Sequence, residues 1–230
     1  MDNYIFTSWF SGDNGFAQHD HTERCVANDF SLIEKFYKSI EINNIKCIIF
    51  HNELSKKFTD KYKTNNISFV QKKIQYRKSY NDERFFVYLD ELKSKEKNIE
   101  KVIFTDCFDV MIHKTPFNLI TDKVDICVGE DPNNKKTNLW ISNKIISCNL
   151  KPIKLIKAYN AGIIGGKVST MINFLEMFTD TMSKCPSNIN SNMGALNYIL
   201  NTQKFRLLSG FPLHNRFRSF KHEDAYIQHK

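Results

Sequence analysis

Apolar positions along this chain follow two rhythms. Short continuous runs, rich in β-branched and aromatic residues, occur at Tyr4 to Phe10, Cys47 to His51, Ile67 to Val70, Lys101 to Thr105, Asp125 to Gly129 and Phe205 to Leu208. Such runs predict strands, and unbroken ones predict strands covered on both faces. Between them, apolar residues return at helical spacing. Ile33, Phe36, Tyr37 and Ile40 follow a capping residue at Asp29 or Ser31, and Glu83 to Lys93 is amphipathic. Met171, Phe174, Leu175 and Phe178 line one side of Ser169 to Met182, and Asn192 to Leu200 reads as a further helix. These spacings predict helices. Ser11 to Gly15 and Pro132 to Asn138 are polar and turn-rich, and read as loops. In Tyr159 to Gly166, small residues mark a place where backbone or ligand approaches closely.

Strand, helix, strand, repeated in units of about 30 residues, is the pattern of βαβ construction. The expected class is α/β, with a mixed, mostly parallel central sheet flanked by helices. No internal repeat or low-complexity linker breaks the chain, so a single domain over 1–230 is expected.

Composition narrows this reading. A length of 230 residues favours one large domain, and 41% apolar residues with 19 Phe can fill a sizeable core. No apolar run approaches the roughly 18 residues of a membrane span. The N-terminus lacks the basic start and apolar stretch of a signal peptide, so a cytoplasmic protein is expected. The six cysteines are scattered, with no C-x-x-C pair and no zinc spacing. The net charge of +8 (33 Lys+Arg against 25 Asp+Glu) fits nucleic acid, acidic lipid or a phosphorylated small molecule as partner. The lysines look spread along the chain rather than gathered in one patch, which argues against nucleic acid.

The chemistry concentrates in Val102 to Val110, where an apolar strand runs into Asp106 and Asp109. A buried strand ending on carboxylates places charge at the sheet edge where open α/β folds bind ligands. Two carboxylates there repel unless a cation sits between them. Hard divalent ions take oxygen ligands and leave room for water and phosphate oxygens. Alone, the pair equally fits an ordinary strand-end turn. His19-Asp20-His21 lies in a polar stretch with no third partner at ligand spacing and reads as a loop.

Four further segments stand in order with Asp106-x-x-Asp109: Asn81-Asp82-Glu83-Arg84, Tyr159 to Gly166, Asn190 to Asn197, and Tyr226-Ile227-Gln228-His229-Lys230. Together they resemble the nucleotide-sugar glycosyltransferases of the GT-A fold, over essentially the whole chain. The T-D-x-x-D-V form is similar to the glycosyltransferase domains of collagen-modifying enzymes and to small bacterial and viral relatives. The resemblance implies a Rossmann-like fold, with residues 1–110 as the nucleotide-binding half and 111–230 as the acceptor half. It implies Mn²⁺ or Mg²⁺ held by Asp106, Asp109 and His229, with His214 as rival for the third position. Lys230 would touch phosphate. Thr7, Ser8 and Trp9 would lie at the base and ribose, Trp9 stacking on the base or else sitting in the core. Arg84, Gly162 and Asn192 would also contact the donor. Asn160, with Glu130 or Asp131, would lie beside the reacting sugar. The donor is expected to be a UDP-sugar, and the acceptor a glycan, protein or small molecule.

Three other readings compete. A dehalogenase-type phosphatase also opens on an apolar strand ending in aspartate, but it needs its second acid two residues later, not three. A nucleotidyltransferase would need a basic glycine-rich loop after the first strand, and Gly12 to Gly15 has no Lys or Arg before Arg24. A non-catalytic sugar- or nucleotide-binding protein would not require the full set of aspartates, asparagine and histidine.

Overall fold

The computed structural model describes residues 1–11, 26–75, 79–186, 189–216 and 224–229. In chain order its regular elements are β1 (Asp2–Trp9), α1 (Glu34–Ile42), β2 (Lys46–His51), α2 (Lys56–Tyr62), β3 (Ile67–Gln71), α3 (Tyr80–Lys95), β4 (Ile99–Thr105) and β5 (Val110–Ile112). They continue with β6 (Ile126–Glu130), α4 (Lys135–Ser147), β7 (Tyr159–Lys167), α5 (Val168–Lys184), α6 (Asn192–Thr202), β8 (Leu207–Ser209), β9 (His214–Arg216) and β10 (Ile227–His229). Short 3-10 turns at Phe30–Leu32 and Pro116–Leu119 complete the set.

Seven strands form the central sheet in the order β3-β2-β1-β4-β7-β6-β8. β1 to β4 run parallel, β6 and β8 run parallel to each other, and β7 is antiparallel to both its neighbours, β4 and β6. The chain is therefore an α/β protein with a mixed, mostly parallel Rossmann-like sheet, as the alternation of runs predicts. Side-chain alternation divides the core in two. Phe6, Ile48, Phe50 and Phe104 face α3, α5 and α6, where Tyr88, Phe174 and Leu196 pack. Ile5, Cys47, Ile49 and Ile103 face the opposite way, toward Phe36 and Ile40 of α1 and Phe58 of α2. No helix among the described residues is long and apolar enough to cross a membrane.

The structure extends the sequence reading at three places. The polar stretch Pro132 to Asn138 is only partly loop, because Asn134 accepts a hydrogen bond from Thr137 N–H (2.9 Å) and starts α4. α2 starts the same way at Ser55, which accepts from Phe58 N–H (3.2 Å). The small-residue segment Tyr159 to Gly166 is a strand, β7, inserted between β4 and β6. A Cβ on Gly165 would lie 2.6 Å from the Val102 carbonyl, so the close approach of β7 to β4 requires the missing side chain.

A second sheet, in the order β5-β10-β9, sits beyond the end of β4. β10 pairs antiparallel with β5 in a register that sets His229 opposite Val110. The extreme C-terminal segment is thereby fastened beside the aspartate motif.

Candidate metal centre

β4 carries its buried apolar residues to Thr105, and Asp106 follows at its carboxyl end. The Asp106 N–H donates to the Gly162 carbonyl of β7 (3.1 Å), which fixes the backbone where the carboxylate emerges. Three residues on, the chain enters β5 and presents Asp109. The β5–β10 pairing delivers His229 from the other side. Asp106, Asp109 and His229 thus form a cluster whose potential ligand atoms lie within 4.8 Å of one another. His229 Nε2 is 3.5 Å from Asp106 Oδ2 and 3.8 Å from Asp109 Oδ1.

The donor set fits a divalent ion. Two carboxylates and an imidazole are the ligands that Mn²⁺ and Mg²⁺ accept, and three protein ligands leave coordination positions for a substrate. The space is shaped for it as well. A Cβ on Gly162 would meet His229 Cε1 at 2.4 Å, His229 Nε2 at 2.6 Å and Asp106 Oδ2 at 2.7 Å. Only glycine lets β7 run beneath this cluster.

Arg84 closes the inner side. It is buried on α3; its Nη1 pairs with Asp106 Oδ1, its Nη2 donates to the Ala161 carbonyl (3.3 Å) and its Nε to the Asn81 carbonyl (3.1 Å). Burial alone would raise the Asp106 carboxyl. The Arg84 guanidinium, with His229 beside it, overcomes that and holds the carboxyl well below the usual carboxylate range. One Asp106 oxygen is occupied by Arg84 while the other faces His229. The arginine thus orients the Asp106 carboxylate from the Oδ1 side.

A hydrogen-bonded chain leads outward from the cluster. Gly162 N–H donates to Asn160 Oδ1 (2.7 Å), and Asn160 Nδ2 donates to Asp131 Oδ1 (3.2 Å). Asn160 and Asp131 are therefore tied to Gly162, beside the Asp106, Asp109 and His229 cluster. Glu130, read from the sequence beside Asp131 as an alternative, points elsewhere. Its carboxylate accepts from Ser209 Oγ (2.7 Å) and Lys157 Nζ (3.1 Å) at the β8 side. Burial would raise its carboxyl, and those two donors bring it below its ordinary value.

The remaining sequence candidates separate. His214, the rival ligand, accepts from the Glu130 backbone N–H through Nε2 (2.6 Å) and serves the β6 end rather than the aspartates. Thr7, Ser8 and Trp9 are all buried. Thr7 Oγ1 donates to the Thr105 carbonyl (2.7 Å), and the Ser8 carbonyl accepts from Cys107 Sγ (3.3 Å), so both brace the β1–β4 seam next to Asp106. The Trp9 ring packs against Phe58 and Phe108 in the core, at centroid distances of 5.4 and 5.8 Å, which is the core alternative and not a base-stacking platform. Asn192 contributes its backbone N–H to Asp82 (2.9 Å) at the start of α6. Lys230, Gly12 to Gly15 and His19-Asp20-His21 lie outside the described residues.

Two residues take roles that the sequence reading did not assign to them. Asp82 is buried and accepts from Ser191 N–H (2.8 Å), Ser191 Oγ (2.7 Å) and Asn192 N–H (2.9 Å), anchoring the N-terminus of α6 two residues from Arg84. Asn197, on α6, accepts from Tyr159 N–H (2.8 Å) and donates to the Tyr159 carbonyl (2.9 Å). It pairs with β7 as a neighbouring strand would. A signal for Asp82 existed in its charge inside an apolar helix face, since buried carboxylates need partners.

In comparison with known proteins, no family model and no curated protein matches this chain.

Proposed function

We propose that this protein is a metal-dependent glycosyltransferase, taking a sugar from a nucleoside-diphosphate donor, UDP-linked, to a glycan, protein or small-molecule acceptor. The observation that carries this reading is the convergence of Asp106, Asp109 and His229 at the carboxyl end of β4, with Arg84 buried against Asp106. The order of these residues along the chain and the mixed, mostly parallel sheet agree with the GT-A resemblance.

In the reaction, the bond between the anomeric carbon and the diphosphate oxygen breaks, and its electron pair leaves with the nucleoside diphosphate. The acceptor oxygen forms the new bond to carbon and gives up its proton to the departing phosphate or to a nearby carboxylate such as Asp131. A divalent ion at the cluster would supply positive charge where the leaving diphosphate gains negative charge. Asp106, Asp109 and His229 would hold it, and Arg84 fixes the Asp106 rotamer. Asn160, held between Gly162 and Asp131, offers a neutral polar edge for sugar hydroxyls.

A phosphatase using Asp106 as nucleophile has less support. Its Oδ1 is already engaged by Arg84, and the second acid stands three residues on rather than two.

Calorimetric titration with UDP, with and without Mn²⁺, on the native protein and on Asp109→Ala tests the proposal. UDP binding that requires Mn²⁺ and vanishes in the variant is expected, followed by slow hydrolysis of one UDP-sugar in a screen. If neither UDP nor GDP binds with Mn²⁺ or with Mg²⁺, the glycosyltransferase reading fails and a non-catalytic protein on this fold takes its place.

A further inference from the structure

Between Pro132 and Ala158 the chain carries Lys135, Lys136, Lys144, Lys151, Lys154 and Lys157, and not one Asp or Glu. Read linearly, the lysines of the protein look evenly spread. The fold folds this stretch back on itself, with α4 running out and the following segment returning along it. Leu150, Ile153 and Leu155 of the return pack with Ile141 and Ile145 of α4, and the Asn133 side chain donates to the Ile156 carbonyl (3.4 Å) just ahead of the helix. The basic residues are therefore gathered in one unit, α4 and its return segment. Lys157 bridges Glu130; among the described residues, the other five have no carboxylate within ion-pair distance.

The same unit exposes large apolar side chains. Leu139 is 61% exposed, Ile146 53%, Trp140 39% and Ile156 71%. The inward side of α4 is already served by Ile141 and Ile145. A surface helix ordinarily keeps its outer face polar. Here Leu139, Trp140 and Ile146 form a second apolar set facing away from the core, and Lys144 Nζ stands 5.7 Å over the Trp140 ring.

We propose that α4 and its return segment form a docking surface for an anionic lipid bilayer, lying in the headgroup layer without crossing it. Charge complementarity selects this occupant. A second copy of the chain would bring the same unneutralised lysines against each other. A nucleic acid would satisfy the lysines but leave Leu139, Ile146 and Ile156 in water. A membrane interface satisfies both: aliphatic side chains and the indole enter the acyl boundary, while lysines extend to lipid phosphates and carboxylates. The inference is independent of the glycosyltransferase reading, since none of these residues belongs to the metal cluster.

Trp140 supplies the probe, because the chain's other tryptophan, Trp9, is fully buried. The native protein is mixed with phosphatidylcholine vesicles, with or without phosphatidylserine, and both sedimentation and tryptophan emission are followed. Expected are co-sedimentation and a blue shift with the anionic vesicles only, both weakened by salt. In Lys135→Glu/Lys136→Glu, partition falls by more than about tenfold, at roughly a fivefold loss per basic residue near the surface. Trp140→Ser/Leu139→Ser weakens sedimentation similarly while the circular dichroism spectrum stays unchanged. Carboxylates in the first turn of α4 favour the helix, so the first variant keeps its fold. Failure to bind anionic vesicles at low salt overturns the proposal. So does vesicle binding that both variants retain, or a concentration-dependent self-association that Trp140→Ser/Leu139→Ser abolishes.

Discussion

Gly162 and His229 meet so closely that a methyl group on the glycine would lie 2.4 Å from the imidazole Cε1. β7 and the C-terminal β10 belong to different sheets, and this contact is where they join at the candidate metal centre. Gly162→Ala therefore has to displace His229 or Asp106. The expected result is a fall in Mn²⁺ affinity of about 10- to 100-fold, the usual loss when a ligand's positioning is disturbed. Titration monitored by Mn²⁺ electron paramagnetic resonance measures it, and unchanged affinity would show that His229 is not a ligand.

Arg84 and Asp106 form a buried ion pair, and removing one member leaves the other charge uncompensated. Arg84→Met is expected to lower stability by about 3–5 kcal/mol. Because a divalent ion would itself neutralise Asp106, Mn²⁺ should restore part of that loss in the variant. Thermal unfolding with and without Mn²⁺ reads this directly. Equal destabilisation in both conditions would argue that no ion reaches Asp106.

Asp82 holds the first turn of α6 through three hydrogen bonds. Asp82→Ala strands those donors in the interior and is expected to cost about 3 kcal/mol, read as a lower urea midpoint. Asp82→Asn keeps one acceptor and should cost less. If the two variants are equally stable, the carboxylate geometry is not what secures α6.

Glu91 is buried between Lys72 and Lys95, at 2.7 and 2.5 Å. Burial raises its carboxyl, and the two ammonium groups outweigh this and bring it below the ordinary value. For an acid with a depressed folded-state pKa, the stabilisation is complete above the unfolded-state value of about 4.3 and fades as pH falls through the folded value. Stability should therefore decline in acid below about pH 4.3. Glu91→Gln should flatten part of that decline while lowering stability at neutral pH. An unchanged acid slope in chemical denaturation would remove Glu91 from the account.

Much of the frame can be read from local order. Runs such as Cys47 to His51, and the helical spacing of Met171, Phe174, Leu175 and Phe178, state their own conformation, because a short unbroken apolar run and a period of 3.6 are both written into neighbouring residues. Asp106 and Asp109 are likewise visible, since a strand that stays apolar up to its end and then turns acidic can be recognised within nine residues, Val102 to Val110. The glycines of β7 announced a close approach but not its partner.

The sequence by itself determined the alternation of strands and helices, the α/β class and the residue types of the candidate metal site. Tertiary structure alone decided which of these residues meet. Nothing local tells that Ile227 to His229 pairs with Val110 to Ile112, or that His229 reaches the aspartates while His214 serves the Glu130 backbone. Nor does it tell that Trp9 turns into the core, that Asp131 rather than Glu130 joins Asn160, or that the lysines between 135 and 157 are gathered by the folding back of one segment on α4. Each depends on strand pairing and helix docking between distant segments, which are fixed by the burial of the whole apolar surface at once and leave no periodic trace in the chain.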